Sequence, residues 1–427
     1  MPGDTIFALS SGSPPAAIAV IRISGPGAHG AGRALAGGLP RVRQATVRQL
    51  RHPATGELLD EALVLCFQGP ASSTGEDSVE FHCHGGRAIV EAVLAVLADL
   101  DGLRPARPGE FTRRAFDNGR IDLTEAEGLA DLIEAETESQ RRAALAMAEG
   151  GLSKQIAVWQ GRVLDLSARA EAAIDYVDED SVDVDSGVSR DCGALAKELA
   201  EWLDRPRAEP LREGIRVVIA GPPNAGKSSL LNALVGHERA IVTDVPGTTR
   251  DHIDVPIVLG GVPIRLTDTA GLRNSGELVE RIGVDRAHRL IGLADIILWL
   301  GEPAEAPSHR HLIRVHARAD VQKRSVAPEG SIPVSSVTGT GLGTLSRAIA
   351  SEARSLLPAE GQLALNRRQA ACLSSARDSL QHAEVAPDLV ILAESLRSAR
   401  ASFDRLTGSS GVEDLLDALF GRFCLGK

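Results

Sequence analysis

The hydrophobic pattern changes character along the chain. Over residues 1–118 it consists of short apolar runs between Gly- and Pro-bearing turns. Ala17–Ile23, Ala62–Phe67 and Val79–Cys83 predict strands, and Ala88–Leu100 predicts a helix, an α+β unit. Over residues 119–210 the period becomes helical. Leu123, Ala126, Leu129, Ala130 and Ile133 share one helical face, with Thr124 and Glu127 as the expected capping box. Ala- and Leu-rich sequence predicts further helix over 152–176 and 193–203, and the acidic stretch Asp175–Asp185 reads as a solvated connector. From Ile215 the pattern becomes short apolar runs: Ile215–Ala220, Ile264–Thr267, Asp295–Leu300, Ile313–Val315 and Ile332–Val334. These suit the buried strands of a doubly wound parallel sheet. Glu302–His311 carries two prolines and is short for a crossover helix, so a loop or single turn is expected there. After residue 358 the helical pattern returns. The fold expectation is a multidomain α/β and α+β protein: an N-terminal α+β domain (1–118), a helical domain in two parts (119–210 and 359–427), and an inserted α/β domain (211–358).

Composition adds limits. The 427 residues carry 46 Lys and Arg against 57 Asp and Glu, a net charge of −11, which excludes a generally basic nucleic-acid coat. A local patch for RNA remains open at Arg104, Arg107, Arg113, Arg114 and Arg120, although solvated surface charge is the commoner reading of any single Arg among them. Aromatic residues make up 3%, so the cores must be aliphatic. Five scattered cysteines without a CxxC pair predict reduced thiols, neither a disulfide framework nor a zinc site. His82 and His84 share a strand face, but too few further ligands cluster with them for a metal site. The N-terminal sequence lacks a signal-peptide pattern and no apolar run matches a membrane span. The expected location is cytoplasmic, with no membrane partner.

The chemistry concentrates at Gly221–Ser228. An apolar strand runs straight into Gly221-Pro-Pro-Asn224-Ala225-Gly226-Lys227-Ser228, and a helix-competent stretch from Ser229 follows. This is GxxxxGKS in strand–loop–helix context. Glycines let backbone N–H groups wrap phosphate oxygens, Lys227 would reach the β- and γ-phosphates, and Ser228 would ligate Mg²⁺. Asp268-Thr269-Ala270-Gly271 ends a later strand. An Asp there fits a metal-holding role, and Gly271 lets its N–H approach a γ-phosphate. Between them, Thr243-Asp244-Val245-Pro246-Gly247-Thr248-Thr249 is polar and reads as a switch loop.

These residues resemble one family. Gly-Thr-Thr-Arg-Asp (247–251), Asp-Thr-Ala-Gly-Leu-Arg (268–273) and Val-Glu-Arg-Ile-Gly (279–283) are similar to the G domain of the MnmE (TrmE) family. So are Arg22-Ile-Ser-Gly, Gly75-Glu-Asp, His84-Gly-Gly, Arg107-Pro-Gly-Glu-Phe, Leu123-Thr-Glu-Ala-Glu and the terminal Phe423-Cys-Leu-Gly-Lys427. The resemblance implies a Ras-like G domain and a folate-binding-type N-terminal domain. It implies a dimeric, potassium-stimulated GTPase whose conformational cycle is driven by hydrolysis. With the FAD-bearing partner MnmG, in a heterotetramer or larger complex, it would place an aminomethyl or carboxymethylaminomethyl group on C5 of the tRNA wobble uridine. The one-carbon unit would come from a 5-formyl- or methylene-type tetrahydrofolate. A ribosome-assembly or RNA-scaffold GTPase that modifies nothing is the competing reading.

Residue roles follow from the same resemblance. Leu272 occupies the position where a Gln orients water in Ras-like enzymes, and an alkyl chain cannot do so. The family uses a Glu further on, which matches Glu280. K⁺ would be held by Asn224, Thr243, Val245 and Thr248, and Thr249 would join Ser228 on Mg²⁺. Ser229 extends the phosphate contacts. Guanine is usually read by Asn-Lys-x-Asp, and here the stretch is Ala317-Arg318-Ala319-Asp320. Asp320 can still accept from the guanine edge, while Ala317 offers no polar group. A lost neutral hydrogen bond is worth about 0.5–1.5 kcal/mol, so guanine nucleotides should bind more weakly with preference over adenine retained. Ser335 and Ser336 match the loop behind the base. The implied folate contacts are Arg22, Glu80, Arg120 and Lys427. Cys424 is open between chemistry at C5 of uridine and an inert packing role.

Overall fold

The computed structural model describes residues 3–175, 182–237, 239–240, 254–269, 289–324, 326–410, 413–421, 423 and 426. They form two compact units, one of residues 1–130, 152–156 and 403–427, the other of residues 131–151 and 157–402.

The first unit holds a six-stranded sheet of β1 (Thr5–Leu9), β2 (Ile18–Ser24), β3 (Thr46–Arg51), β4 (Leu58–Phe67), β5 (Ser78–His84) and β6 (Leu103–Pro105), in the order β3-β4-β5-β2-β1-β6. Neighbours are antiparallel except β1 and β6. Strand period separates two faces. Ile21, Ile23, Val64, Cys66, Val79, Phe81 and Cys83 are buried together with Ala31 and Leu35 of α1 (Ala28–Ala36) and Val93 and Leu97 of α2 (Arg87–Ala98). The alternate positions, among them Arg22, Glu80 and His82, lie on the opposite face. There Ile6, Ala8, Ala106 and Phe111 form a smaller cluster, Phe111 coming from α3 (Glu110–Asp117).

The Arg cluster is largely neutralised inside this unit. Arg104 and Arg114 both pair with Asp4 and Glu110, Arg114 also reaches Glu76, and Arg113 pairs with Asp417. It is therefore no open basic patch; only Arg107 and Arg120 form no ion pair among the described residues. Burial raises the Asp4 and Glu110 carboxyls, but hydrogen bonds and charge from Arg104 and Arg114 outweigh it and hold both below the ordinary range. A lowered folded pKa means stabilisation that is present above the unfolded pKa and lost as pH falls through the folded one. Replacing Glu110 with Gln should thus lower the melting temperature by several degrees near neutrality, and the gap to the unaltered chain should close below about pH 4. Thermal melts from about pH 3 to 7 test this; a gap independent of pH would show that the pairs contribute no linked stability.

Helices α4 (Leu123–Glu134), α5 (Glu138–Ala148), α6 (Gly151–Asp175) and α7 (Val182–Leu203) follow. The start of α4 corrects the sequence reading. Asp122 accepts from the Glu125 N–H at 2.9 Å, and the Glu125 carboxylate accepts from the Asp122 N–H at 2.8 Å. The capping box is therefore Asp122–Glu125, two residues before Thr124–Glu127, whose pattern overlaps it. Thr124 is buried and donates to Asp122 Oδ1 at 2.8 Å. The acidic connector is also shorter than expected, because α6 continues to Asp175 and α7 begins at Val182; residues 176–181 lie outside the described residues. Along α6, Leu152, Ile156, Trp159, Val163, Leu166, Ala170 and Ala173 are buried at alternating spacings of four and three, one continuous stripe. Trp159 stands edge-on to Trp202 at 5.2 Å.

The second unit contains a seven-stranded sheet: β7 (Ile215–Ala220), β8 (Arg239–Ala240), β9 (Asp254–Leu259), β10 (Val262–Asp268), β11 (Ile296–Trp299), β12 (Leu312–Ala317) and β13 (Ser331–Val334), ordered β13-β12-β11-β7-β10-β9-β8. The five strands from β13 to β10 are parallel, as the apolar runs predict. Two strands that the apolar runs do not include extend the sheet at one edge: β9 folds back antiparallel on β10 through Gly260–Gly261, and β8 pairs antiparallel with β9. Between β11 and β12 stands a single 3₁₀ turn, Pro303–Glu305. Further helices among the described residues of the chain include α8 (Glu209–Glu213), α9 (Lys227–His237), α10 (Leu342–Ser355), α11 (Arg367–Glu384), α12 (Leu389–Thr407) and, in the first unit, α13 (Glu413–Phe420); α7 packs along α11.

Candidate nucleotide site

Strand β7 sits where the sheet order reverses, with β10 on one side and β11 on the other. In open α/β sheets such a point opens a crevice at the strands' carboxyl ends. The loop leaving β7 fills it. Gly221 has φ 148°, and a Cβ there would stand 3.1 Å from Leu300 Cβ, so the chain turns against β11 where only glycine fits well. Gly226 has φ 97° just before α9 begins at Lys227. The amides of the α9 N-terminus thus face the crevice, a ready anion site.

Lys227 is 7% exposed, and its Nζ donates to the carbonyls of Gly221 and Pro222 at 2.9 and 2.8 Å. The ammonium lies along the loop that would wrap the phosphates. The Ser228 hydroxyl donates to the carboxylate of Asp268, a buried residue that ends β10. Two sequence motifs 40 residues apart therefore meet, and a hydroxyl beside a carboxylate oxygen is a donor set that fits Mg²⁺. Thr269 turns its hydroxyl inward to Ile219 O at 3.0 Å. Ala225 is buried, Ser229 is exposed on α9, and Asn224 is exposed at the loop crest with φ 60°.

The stretch expected from the sequence to read the base lies at the ends of β12 and β13. Ala317 is buried, Arg318 is exposed at φ 60°, and Asp320 is exposed. Ser335 is fully buried; its hydroxyl accepts from the N–H groups of Val337 and Thr338 at 3.2 and 3.1 Å, which shapes the loop, and Ser336 is half-buried. Thr243, Asp244, Val245, Pro246, Gly247, Thr248, Thr249, Ala270, Gly271, Leu272 and Glu280 lie outside the described residues.

On the N-terminal sheet, Arg22 and Glu80 are directly opposed across β2 and β5, and Arg22 Nε donates to Glu80 Oε1 at 3.0 Å. His82 stands 3.3 Å from the other Glu80 oxygen, and the Arg22 guanidinium lies 5.7 Å from the centre of the Phe111 ring. The sequence reading missed His82 as a partner of Glu80, although their i, i+2 spacing was the available signal. It also missed Asp60, a buried carboxylate accepting both the backbone and ring N–H of His84 at 2.8 and 2.7 Å. Arg120 is exposed and packs against Gly75; no contact joins it to Arg22 or Glu80. Lys427 and Cys424 lie outside the described residues. The Gly426 carbonyl accepts from Ser10 Oγ at 2.8 Å, which places Gly426 just beyond the end of β1. Burial pushes the Cys83 thiol up to about 12, helped by Asp60, and the Cys192 thiol up to about 11, so both stay protonated near neutrality. Among the described residues no group of three or more metal-ligating side chains stands together, and no helix is long and apolar enough to cross a membrane.

A phosphate loop at the switch point of a parallel sheet, with Ser228 on a strand-end Asp, defines a P-loop nucleotide-binding protein. Residues 5–120 match the family described as GTP-binding protein TrmE N-terminus, and residues 123–424 match the MnmE helical domain. The tRNA modification GTPase MnmE of Novosphingobium aromaticivorans is 54% identical over 99% of this chain and its own full length, and that of Erythrobacter litoralis is 53% identical over the same shares. The chain belongs to the MnmE family of tRNA modification GTPases. A solved G domain of the T. maritima FeoB iron transporter covers 33% of this chain and 98% of its own, at 26% identity and a TM-score of 0.24, too low to add to the argument.

Proposed function

We propose that this chain is the potassium-stimulated GTPase partner of MnmG, acting as a homodimer to install the aminomethyl or carboxymethylaminomethyl group at C5 of the tRNA wobble uridine. The supporting observation is the contact between Ser228 and Asp268 beneath a complete phosphate loop, in a chain that matches tRNA modification GTPases end to end. In this reading Lys227 and the α9 amides neutralise the phosphates, Ser228 and Thr249 hold Mg²⁺, and Glu280 orients the attacking water because Leu272 cannot. Asn224, at the exposed loop crest, holds K⁺ with Thr243, Val245 and Thr248. Residues 211–358 are the G domain set into a helical domain of residues 119–210 and 359–427, and residues 1–118 form the folate-binding and dimerisation domain.

The N-terminal sheet supports a modified folate reading. Glu80 is a carboxylate held between two donors, which suits the N–H edge of a pterin. Arg22 is engaged by Glu80, which leaves Arg120 and Lys427 as the cations for the glutamate tail. Cys424 remains open between chemistry and packing.

Two measurements test the proposal. GTP hydrolysis should run at least about tenfold faster in KCl than in NaCl, the equivalent of about 1.4 kcal/mol at the transition state; equal rates remove K⁺ from the site. Nucleoside analysis should find the wobble-uridine group missing from a deletion strain, restored by this chain and not by its Lys227→Ala variant. A deletion strain with unchanged wobble uridine would leave the ribosome-assembly reading in its place.

A further inference from the structure

We propose that the basic rim of the N-terminal sheet, formed by Arg41, Arg43, Arg48 and Arg51, is a docking surface for the phosphate backbone of RNA. The inference rests on the reading of this chain as acting on tRNA, and adds where the chain holds it. The chain carries 57 acidic residues among 427 and a net charge of −11, yet residues 5–56 contain no Asp or Glu. The same stretch holds six arginines: Arg22, Arg33, Arg41, Arg43, Arg48 and Arg51. The fold gathers the last four at one rim. β3 is an edge strand paired only with β4, and it carries Arg48 and Arg51. Arg41 and Arg43 lie in the loop that leads into it, and all four side chains are exposed.

Arg104 and Arg114 meet carboxylates, but none of these four forms an ion pair among the described residues. Two are held by neutral groups instead. Arg43 donates to the Ala71 carbonyl, and its guanidinium lies 5.6 Å from the centre of the Phe67 ring. Arg51 donates to Gly56 O at 2.9 Å and to Gln49 Oε1 at 2.8 Å. A neutral acceptor orients a guanidinium without cancelling its charge, so less freedom is lost when an anion arrives. Glu61, in register with Gln49, and Glu57 in the following turn are exposed and leave the four unpaired. Charged side chains commonly guard an edge strand against pairing with another chain. That role accounts for Arg48 and Arg51, but not for Arg41 and Arg43 off the strand, nor for the missing acid over residues 5–56. A polyanion accounts for all of them, because phosphate contacts need exposed, unneutralised cations. Residues 8–66 contain no Phe, Tyr or Trp, so the rim offers charge without a platform for stacking bases. That suits a paired stem held through its phosphates.

The full-length chain is titrated over a range of salt with a tRNA transcript, and with the same transcript carrying cytidine in place of the wobble uridine. Two triple variants are compared with it: Arg41→Gln with Arg48→Gln and Arg51→Gln, and Arg41→Lys with Arg48→Lys and Arg51→Lys. Arg43 is kept because it packs on Phe67. The glutamine variant should bind both transcripts at least about tenfold more weakly, and its slope of log affinity against log salt should be shallower by about 2 to 3. The lysine variant should bind as the unaltered chain does, since phosphate contacts read charge. Melting temperature and GTP hydrolysis without tRNA should be unchanged in both. Should the glutamine variant fail to fold, Arg41→Gln alone should still flatten the slope by about one. The proposal is overturned if the salt slope and affinity stay those of the unaltered chain. It is also overturned if the loss appears only with the wobble-uridine transcript, which would place the effect at the modified base. Loss of binding to phosphatidylserine vesicles with tRNA binding intact would assign the rim to a membrane and overturn it too. Unchanged wobble uridine in a deletion strain would instead overturn the modification reading, and leaves the transcript titrations to decide the rim by themselves.

Discussion

Replacing Lys227 with Ala is expected to lower GTP hydrolysis by about two to three orders of magnitude while leaving the fold in place. Lys227 is a buried ammonium whose visible hydrogen bonds to Gly221 and Pro222 are made to the loop itself. Bound phosphates would exchange those neutral acceptors for charged ones, and charge-assisted hydrogen bonds are roughly twice as strong. The loss should grow toward the transition state, where negative charge spreads over the transferring phosphoryl oxygens. An Ala at 227 leaves the two carbonyls within reach of water at the crevice, so the melting temperature of the nucleotide-free chain should change little. Lys227→Arg should not rescue, because a planar fork cannot follow the path of a flexible ammonium through this loop. Steady-state GTPase assays with binding of a fluorescent GDP analogue check this. Turnover in Lys227→Ala within about threefold of the unaltered chain would place the hydrolytic site elsewhere.

That prediction was legible from sequence because its parts are local. A strand, six loop residues and a helix start are contiguous, and their function is carried by backbone N–H groups that glycines leave uncovered. The five parallel strands were legible for a related reason: each is rich in apolar residues, and β7, β10 and β11 are almost wholly buried. Two of the strands that escaped have weaker patterns. β3 buries only Leu50 of its six residues, and β9 exposes Asp254 and carries Pro256 on the antiparallel edge. The cap of α4 was misplaced because Asp122-x-x-Glu125 and Thr124-x-x-Glu127 both fit the pattern, and only backbone register decides between them.

The candidate folate face shows the opposite limit. Arg22 and Glu80 are 58 residues apart, and only the β2–β5 register brings them together. Two exposed charges in a sequence become a bound pair in the fold, Arg22 donating to Glu80 across the two strands. The Arg104–Arg114 group changes in the same way, from a candidate RNA patch to an internal ion network once Asp4, Glu76 and Glu110 are placed beside it. Charge counted along a chain overstates what is free to meet a partner, because pairing is a property of the folded surface.

The 335–341 loop, proposed to stand behind the base, offers the second large effect. Gly341→Ala should destabilise the chain by roughly 2–4 kcal/mol and weaken GDP binding with it. Gly341 precedes α10 at φ 80°, and a Cβ there would stand 2.0 Å from the Pro333 carbonyl oxygen of β13. Two costs add: the left-handed conformation, and a clash with backbone that cannot rotate away as a side chain would. Relief requires β13 or the 335–341 loop to move. That loop is closed by Ser335 N–H to Thr340 O at 2.9 Å and Gly339 N–H to Ser335 O at 3.0 Å, and the Leu345 N–H of α10 bonds back to Gly341 O at 3.0 Å. A shift would therefore reach Ser335 and Ser336 behind the base before it reached the phosphate loop on β7. The affinity loss should accordingly be larger for GDP than for inorganic pyrophosphate, which engages only the phosphate half. Chemical denaturation together with GDP and pyrophosphate titrations separates the two effects. A Gly341→Ala chain that melts normally would show that β13 gives way freely, and equal losses for GDP and pyrophosphate would show that the strain reaches the whole site through the sheet.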